Sequence, residues 1–315
     1  MTTISVTIPT FRRPDSFLRA ARSVLRQADA PGAIELVAVD NSPEASAAAA
    51  FATLQAEAGS IPVRLAHEPK PGVANARNAS MALVTGDLVA FLDDDQEASP
   101  HWLAALCRVQ RETGVDAVFG PVTAQLPVGS GPHQAFVEQL HTRTGPTESG
   151  PVPRYFAMCN ALLVRSTMLA AAAPFALETN EKGGEDDILF STAQAAGRRF
   201  AWAADAAVTE HIPPERAKLS YALKRSFAYG QGPCETAYSA SPKQWGEIAK
   251  HMMVGAAQSV ACGGAAGIAF LARAPQRYWL LDKAVRGAGK VVWWREQRFY
   301  GATLDRATRS KGAPG

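Results

Sequence analysis

Two acidic clusters carry the side chains best equipped for chemistry. Asp93-Asp94-Asp95 follows the apolar run Leu88-Val89-Ala90-Phe91-Leu92, and Glu185-Asp186-Asp187 follows Lys182-Gly183-Gly184. Three consecutive carboxylates repel one another at neutral pH unless a cation shares the site. On extended backbone residues i and i+2 point the same way, so Asp93 and Asp95 can face one partner together. A hard divalent cation, held by one or two carboxylates and otherwise by phosphate oxygens and water, suits that donor set. A solvated acidic turn capping a helix that begins near Pro100 is the plainer alternative. The spaced Asp/Asn ligands, central Gly and terminal Glu of a calcium loop are missing. The first strand is not followed by GxGxxG, and no GxxxxGK[ST] occurs, which disfavours a dinucleotide dehydrogenase and a P-loop NTPase. Without a glycine-rich cradle, a metal would have to neutralise a bound diphosphate. Taken alone, the second cluster is ordinary acidic capping of a first helical turn, although the two glycines before it let backbone approach a ligand closely.

The elements that must position these groups follow from periodicity. Ile4-Ser5-Val6-Thr7-Ile8 is a short β-branched strand ended by Pro9, and Pro14-Asp15 starts a helix with Phe17, Leu18, Ala21, Val24 and Leu25 at helical spacing. Strands at 34–39, 63–66 and 88–92 alternate with helices at 46–58 and 73–84. That alternation predicts an α/β fold with a largely parallel sheet, in which ligands sit beyond the carboxyl ends of the strands. Thr10, Arg12, Asp40, Glu68 and the three aspartates occupy those ends. Further along, 127–153 is rich in Gly, Pro, Ser and Thr, 156–165 is an apolar strand, 188–196 is a helix, and another strand lies around 200–203.

Composition bounds the class. The 315 residues carry a net charge of +3 with 47% hydrophobic content, which excludes a disordered chain. Cys107, Cys159, Cys234 and Cys262 form no CxxC pair, so a disulfide scaffold or zinc ribbon is not expected. The opening MTTISVTIPTFRR has no charged leader before an apolar run, and no signal peptide is expected. The charge is uneven: from residue 241 onward there are 12 Lys and Arg against 4 Asp and Glu, leaving 20 against 25 before it. Residues 215–230 suggest a helix with basic and aromatic faces. Met252–Ala272 is a run of 21 residues without a charge, between His251 and Arg273. A bilayer span needs roughly 20 apolar residues, but four Gly, many Ala, Gln258 and Ser259 make this run weakly hydrophobic. Beyond it Tyr278-Trp279, Trp293-Trp294 and Phe299-Tyr300 are interleaved with Arg273, Arg277, Lys283, Arg286, Lys290, Arg295 and Arg298. That mixture suits a membrane interface and favours peripheral or monotopic attachment over a true span. A helical cap packed on the α/β domain is the plainer alternative. No RNA-binding module is visible and the acidic first part opposes one, so no nucleic-acid partner is expected.

The sequence resembles the family 2 glycosyltransferases of the GT-A fold. The carrying residues are VTIPTFRRP (6–14), VAVDNS (37–42), HEPKPGVANARNASM (67–81), VAFLDDDQEASPHWL (89–103) and GGEDDILF (183–190), over roughly residues 4–230. Within the family it is most similar to bacterial exopolysaccharide enzymes of the succinoglycan glucosyltransferase type, through HEPKPG–ARN, the FGPV at 119–122 and GGED. The resemblance implies a Rossmann-like, mixed but mostly parallel sheet flanked by helices, with a helical C-terminal appendage. It implies a catalytic domain over 1–232, with a nucleotide-sugar half (1–126) and an acceptor half (127–232), followed by a basic, membrane-associated region over 233–315.

Residue by residue, the resemblance implies that Pro9, Thr10 and Asp40 hold the base and ribose of a nucleotide-sugar, with Arg12 beside them. Arg77 faces the nucleotide or its diphosphate, where a guanidinium suits phosphate geometry; an ordinary helix-surface arginine is the alternative. Asp95 is the more direct ligand of Mn2+ or Mg2+, Asp93 lies nearer ribose or metal-bound water, and Asp94 makes a backbone or outer contact. His211 completes the metal shell, although a lone histidine is more often simply packed. Asp186 is the catalytic base, with Glu185 and Asp187 as supports or rivals. Residues 127–153 resemble a mobile segment covering the donor, and Trp202 either stacks on acceptor sugar or packs in the core.

The implied reaction is inverting, metal-dependent transfer from a nucleotide-sugar such as UDP-glucose to a saccharide acceptor. A lipid-diphosphate-linked oligosaccharide in polysaccharide biosynthesis is the expected acceptor, at the cytoplasmic face of the plasma membrane. A sugar nucleotidyltransferase is disfavoured because its basic, Gly-rich N-terminal signature is missing. A polyprenyl-phosphate glycosyltransferase shares most of the motifs, and a non-catalytic sugar-binding or scaffolding relative is the alternative outside enzymes.

Overall fold

A computed structural model describes residues 2–180 and 183–295; Lys182, Arg298, Phe299 and Tyr300, named above, lie outside them. The chain divides into two compact units. Of the described residues, the first comprises those up to Gln125 together with Thr142–His211, and the second comprises Leu126–His141 together with those from Ile212 onward. The boundary expected at 232 falls inside a helix of the second unit.

In chain order the elements are β1 (Thr3–Thr10), α1 (Pro14–Leu25), β2 (Ala33–Asp40), α2 (Ala48–Glu57), β3 (Val63–His67), α3 (Val73–Met81) and β4 (Leu88–Phe91). Then come β5 (Gln96–Ala98), α4 (Trp102–Thr113), β6 (Ala117–Phe119), β7 (Val122–Gln125), α5 (Gln134–His141), β8 (Gly150–Val152) and β9 (Ala161–Val164). The short α6 (Arg165–Met168), α7 (Glu185–Ala195), β10 (Phe200–Trp202) and β11 (Val208–His211) complete the first unit. The second unit adds α8 (Leu219–Ser239), α9 (Trp245–Leu271) and α10 (Arg277–Val291) to α5.

The first unit is built on an eight-stranded sheet of order β3-β2-β1-β4-β9-β6-β10-β8. β1 runs parallel to β2 and β4, β2 parallel to β3, and β10 parallel to β6, whereas β9 and β8 are antiparallel to their neighbours. In register Thr10 lies beside Asp40, and Asp40 beside His67, so the carboxyl ends of three strands align on one edge. Alternate strand residues face opposite sides. Accordingly Leu36, Ala38, Leu88 and Ala90 enter one apolar cluster, and Val37, Val89 and Phe91 enter the other. Burial on both faces is what a helix-covered parallel sheet requires. A smaller sheet, β5-β11-β7, pairs Glu210 of β11 with Gln96, immediately after the acidic triplet.

Several local expectations change: β1 runs through Pro9 to Thr10, α3 stops at Met81, and the helix expected over 215–230 is shifted to Leu219–Ser239. The strand expected over 156–165 is regular only over 161–164, because Asn160 turns the chain with φ 53 and spends its side chain on long-range bonds. Its Nδ2 donates to the carbonyls of Pro121 and Ala206 (2.8 Å each), and its Oδ1 accepts from Trp102 Nε1 at 2.7 Å. The segment 127–153 contains α5, whose Phe136 and Val137 are buried, and the edge strand β8. The helix expected from 188 starts at Glu185, so the second acidic cluster is its first turn.

In the second unit α8, α9 and α10 pack with α5. Phe136 of α5 stacks on Tyr278 with ring centroids 6.4 Å apart, and Trp279 Nε1 donates to Gln139. Gln231 of α8 donates to the carbonyls of Val292 (3.0 Å) and Arg295 (2.8 Å), closing the end of α10.

Candidate active site

The acidic triplet follows β4 at the carboxyl edge of the sheet, as its position after an apolar strand predicts. Asp94 and Asp95 are buried and Asp93 is half-buried. Thr10 Oγ1 donates to Asp94 Oδ2 at 2.8 Å, tying the end of β1 to the triplet. Arg13 donates to Asp94 Oδ1 at 3.0 Å and to Asp95 Oδ2 at 2.8 Å, so one guanidinium serves two carboxylates. The backbone N–H of Asp93 donates to Gln96 Oε1 at 3.1 Å, closing the turn into β5.

The second acidic cluster reaches the same place through α3. Arg77 is buried; it ion-pairs with Glu185 and lies 3.8 Å from Asp93 Oδ1. Two asparagines of α3 hold the chain that leads to α7. Asn78 exchanges bonds with the backbone of Phe175, and the N–H of Asn75 donates to Asn180 Oδ1 at 3.1 Å. The ring of Phe175 lies under the Arg77 guanidinium at 5.7 Å. The ARN string is therefore a clamp that presents Glu185-Asp186-Asp187 to the triplet. Asp186 is half-buried and its Oδ2 accepts the N–H of Met158 at 3.2 Å, whereas Asp187 is exposed.

Negative charge accumulates here. Desolvation in the cleft, then Asp95, Glu210 and Asp94, push Asp93 up to about 7 against the pull of Arg77. Desolvation and Asp95 push Asp94 up to about 6 against Arg13 and Thr10. Hard oxygen donors in electrostatic excess fit a divalent cation, which commonly takes only one or two carboxylates and completes its shell with phosphate and water. Among the described residues no group of three or more His, Cys, Asp or Glu is arranged around a single metal position.

The family model described as "Glycosyl transferase family 2" matches residues 5–166. The succinoglycan biosynthesis protein ExoM of Rhizobium meliloti (strain 1021) is 33% identical over 232 residues, 72% of this chain and 73% of that protein. The chain belongs to glycosyl transferase family 2. It is also similar, at 34% identity over 119 residues and 36% of each chain, to a glucosyl-dolichyl phosphate glucuronosyltransferase of Haloferax volcanii. Among solved structures, the mannosyltransferase PcManGT from Pyrobaculum calidifontis, in complex with GDP-Man and Mn2+, aligns with a TM-score of 0.60 at 16% identity. That alignment covers 93% of this chain and 88% of that one. The shared feature is the GT-A fold.

The glycosyltransferase places its remaining predicted residues as follows. Pro9 lies in β1 beside Val39, one residue before Thr10. Arg12, at φ 57, turns away from the triplet and grips Glu44 through two bonds of 2.6 and 3.0 Å. The neighbouring Arg13 takes the acidic site instead. Asp40 is buried, with Oδ1 accepting the N–H of Ser42 (2.9 Å) and Oδ2 that of Ala47 (2.6 Å), so it shapes the turn before α2. His67 Nε2 meets the carbonyl of Ser42 at 2.7 Å and supports the same turn. The backbone N–H of His211 donates to the carbonyl of Asp95 at 2.8 Å, while its ring contacts Glu97 Oε2 at 3.1 Å. Successive strand residues face opposite ways, and it is Glu210 that adds charge around Asp93. Trp202 is buried in the core against Phe156, ring centroids 4.8 Å apart, which favours packing over stacking on a sugar. A cleft of about 770 Å³ near Ile4, Asp87, Arg111 and Arg165 opens at the opposite, amino ends of β1 and β4 and holds none of the residues above.

Arg13, Gln96, Asn78 and Glu210 join the site without a signal of their own in the sequence. Arg13 sits inside VTIPTFRRP, but nothing in that string separates it from Arg12. Glu210 is adjacent to a predicted ligand, and only strand register tells the two apart.

Proposed function

We propose that this glycosyltransferase moves a hexose from a nucleotide-sugar, with UDP-glucose as the donor, to a lipid-diphosphate-linked saccharide, inverting the anomeric centre. The observation that carries the proposal is the buried Arg77, which joins the carboxylates after β4 to those that open α7. One carboxylate group can then face the leaving diphosphate while the other faces the acceptor. Asp93 and Asp95 would hold Mn2+ or Mg2+, which when bound supplies charge neutralisation for the departing nucleoside diphosphate. The GDP-Man and Mn2+ of the Pyrobaculum structure support that donor class and cofactor.

Asp186 acts as general base. As the acceptor oxygen bonds to the anomeric carbon, the bond from that carbon to the diphosphate breaks and the acceptor proton passes to the Asp186 carboxylate. Glu185 is committed to Arg77 and positions its neighbour, and Arg77 adds positive charge toward the leaving group. Thr10 and the turn shaped by Asp40 line the nucleoside side. The relative named for succinoglycan biosynthesis supports a role in polysaccharide assembly, and the one named for glucosyl-dolichyl phosphate supports a lipid-linked saccharide as acceptor; the reaction would then take place at the cytoplasmic face of the membrane.

The test is Asp186→Asn. Stabilisation by UDP with Mn2+ in a thermal shift should persist, and transfer from UDP-glucose to membrane lipid extract, read by mass spectrometry, should vanish. Undiminished turnover would remove Asp186 from the role, and no shift with any nucleoside diphosphate would favour a non-catalytic relative.

A further inference from the structure

α9 is long and apolar enough to cross a membrane, with mean hydropathy 1.5 over its most apolar stretch. Its packing within the second unit argues for a different placement. Gln258 and Ser259, the residues that weaken its hydrophobicity, both face α10. Gln258 Nε2 donates to the carbonyl of Lys283 at 2.7 Å, and Ser259 Oγ to that of Ala284 at 2.9 Å. Gly255 and Gly287 let the two helices touch, since a Cβ on Gly287 would lie 2.6 Å from the Gly255 carbonyl oxygen. At the far end Phe270 meets Tyr278 edge-on at 5.4 Å. α10 thus lies along 255–270 of α9, the middle of the uncharged run.

Between Met253 and Leu271 the side of α9 turned away from α10 carries no charged residue. Met253 (68%), Val260 (78%), Ile268 (71%) and Leu271 (89%) are exposed along it. Charged groups bracket it, with Lys243 and Lys250 before the run, the latter paired to Glu247 at 3.1 Å, and Arg273 and Arg277 after it, a basic excess at both ends. A spanning α9 would carry Arg277, Asp282, Lys283, Arg286 and Lys290 of α10 into hydrocarbon, where each charged side chain is strongly disfavoured. Lying flat immerses only the apolar face and leaves α10 on the water side. Basic residues at the ends of such a face complement anionic headgroups.

We infer that α9 lies in the plane of an anionic bilayer, its Met253–Leu271 face seated at the headgroup–acyl boundary and α10 above it in water. This rests on, and sharpens, the reading that the enzyme works on a lipid-linked acceptor: the contact is monotopic.

The full chain, with Cys159 and Cys262 replaced by alanine, is labelled with a fluorophore at Met253→Cys, Val260→Cys or Leu271→Cys. Each form is mixed with vesicles of phosphatidylcholine alone or with phosphatidylglycerol added, and quenched by lipids brominated at different depths. The expected result is stronger binding to the anionic vesicles and one shallow depth for all three labels. The outer two are about 27 Å apart along the helix, so a span would put Val260 deepest and overturn the inference. Failure to bind vesicles, with or without a lipid-free dimer by light scattering, would also overturn it. In unlabelled chain, Val260→Asp with Ile268→Asp should abolish vesicle binding and leave the thermal shift by UDP and Mn2+ intact. That second readout keeps failure of the membrane contact distinct from failure of the glycosyltransferase reading.

Discussion

Arg77 and Glu185 form a buried ion pair across 108 residues of sequence. Burial opposes both charges, and each persists because the other supplies its counter-charge. Removing one partner of such a pair costs about 3–5 kcal/mol, since the survivor is left buried and alone. Arg77→Met should therefore lower unfolding free energy by that order in urea titration. Arg77→Met with Glu185→Met should recover a substantial part of it while transfer activity stays lost. Additive losses in the double variant would show that the two side chains act independently.

Arg13 stands where a cation is expected to compete. Its two bonds to Asp94 and Asp95 are charge-assisted, and their loss should cost about 1–2 kcal/mol at this partly exposed position. Arg13→Gln should lower the melting temperature without metal, and titration calorimetry should record tighter Mn2+ binding in the absence of nucleotide. Weaker Mn2+ binding in this variant would mean that Arg13 assists the cation.

The raised Asp93 and Asp94 carboxyls set a pH dependence. Between about pH 4 and 7 the folded metal-free protein holds protons that the unfolded chain has released. Their stabilisation is present at the acidic end of that window and is lost as pH rises through about 6 to 7. A divalent cation reverses the sign by favouring the ionised forms. The melting-temperature gain from Mn2+ should thus be larger at pH 8 than at pH 5.5, with proton release on binding near pH 6.5. A gain independent of pH would place the cation on other groups.

Trp202 tests core against acceptor subsite. As a fully buried ring packed on Phe156, it should cost about 3–5 kcal/mol of stability on replacement by alanine. Trp202→Phe, if folded, should keep KM for the acceptor unchanged. A selective rise in acceptor KM with normal stability would return the ring to the acceptor side.

Much of this enzyme is legible along the chain because the signals are local. The β-branched run at Ile4–Ile8, the apolar strand before Asp93 and the Pro14-Asp15 helix start each follow from neighbours a few residues apart. Together they determine an α/β sheet with carboxylates at its carboxyl edge. Side-chain direction is decided elsewhere. Arg12 and Arg13 are chemically alike, and the left-handed turn at Arg12 accompanies their division between Glu44 and the triplet. One residue of register separates Glu210 from His211. Whether Trp202 meets solvent, and whether Gln258 and Ser259 weaken or spare the apolar face of α9, depends on which element packs against them. So does the meeting of Arg77 with both acidic clusters, because a pair so far apart in sequence forms only when α3, β4 and α7 are already in place.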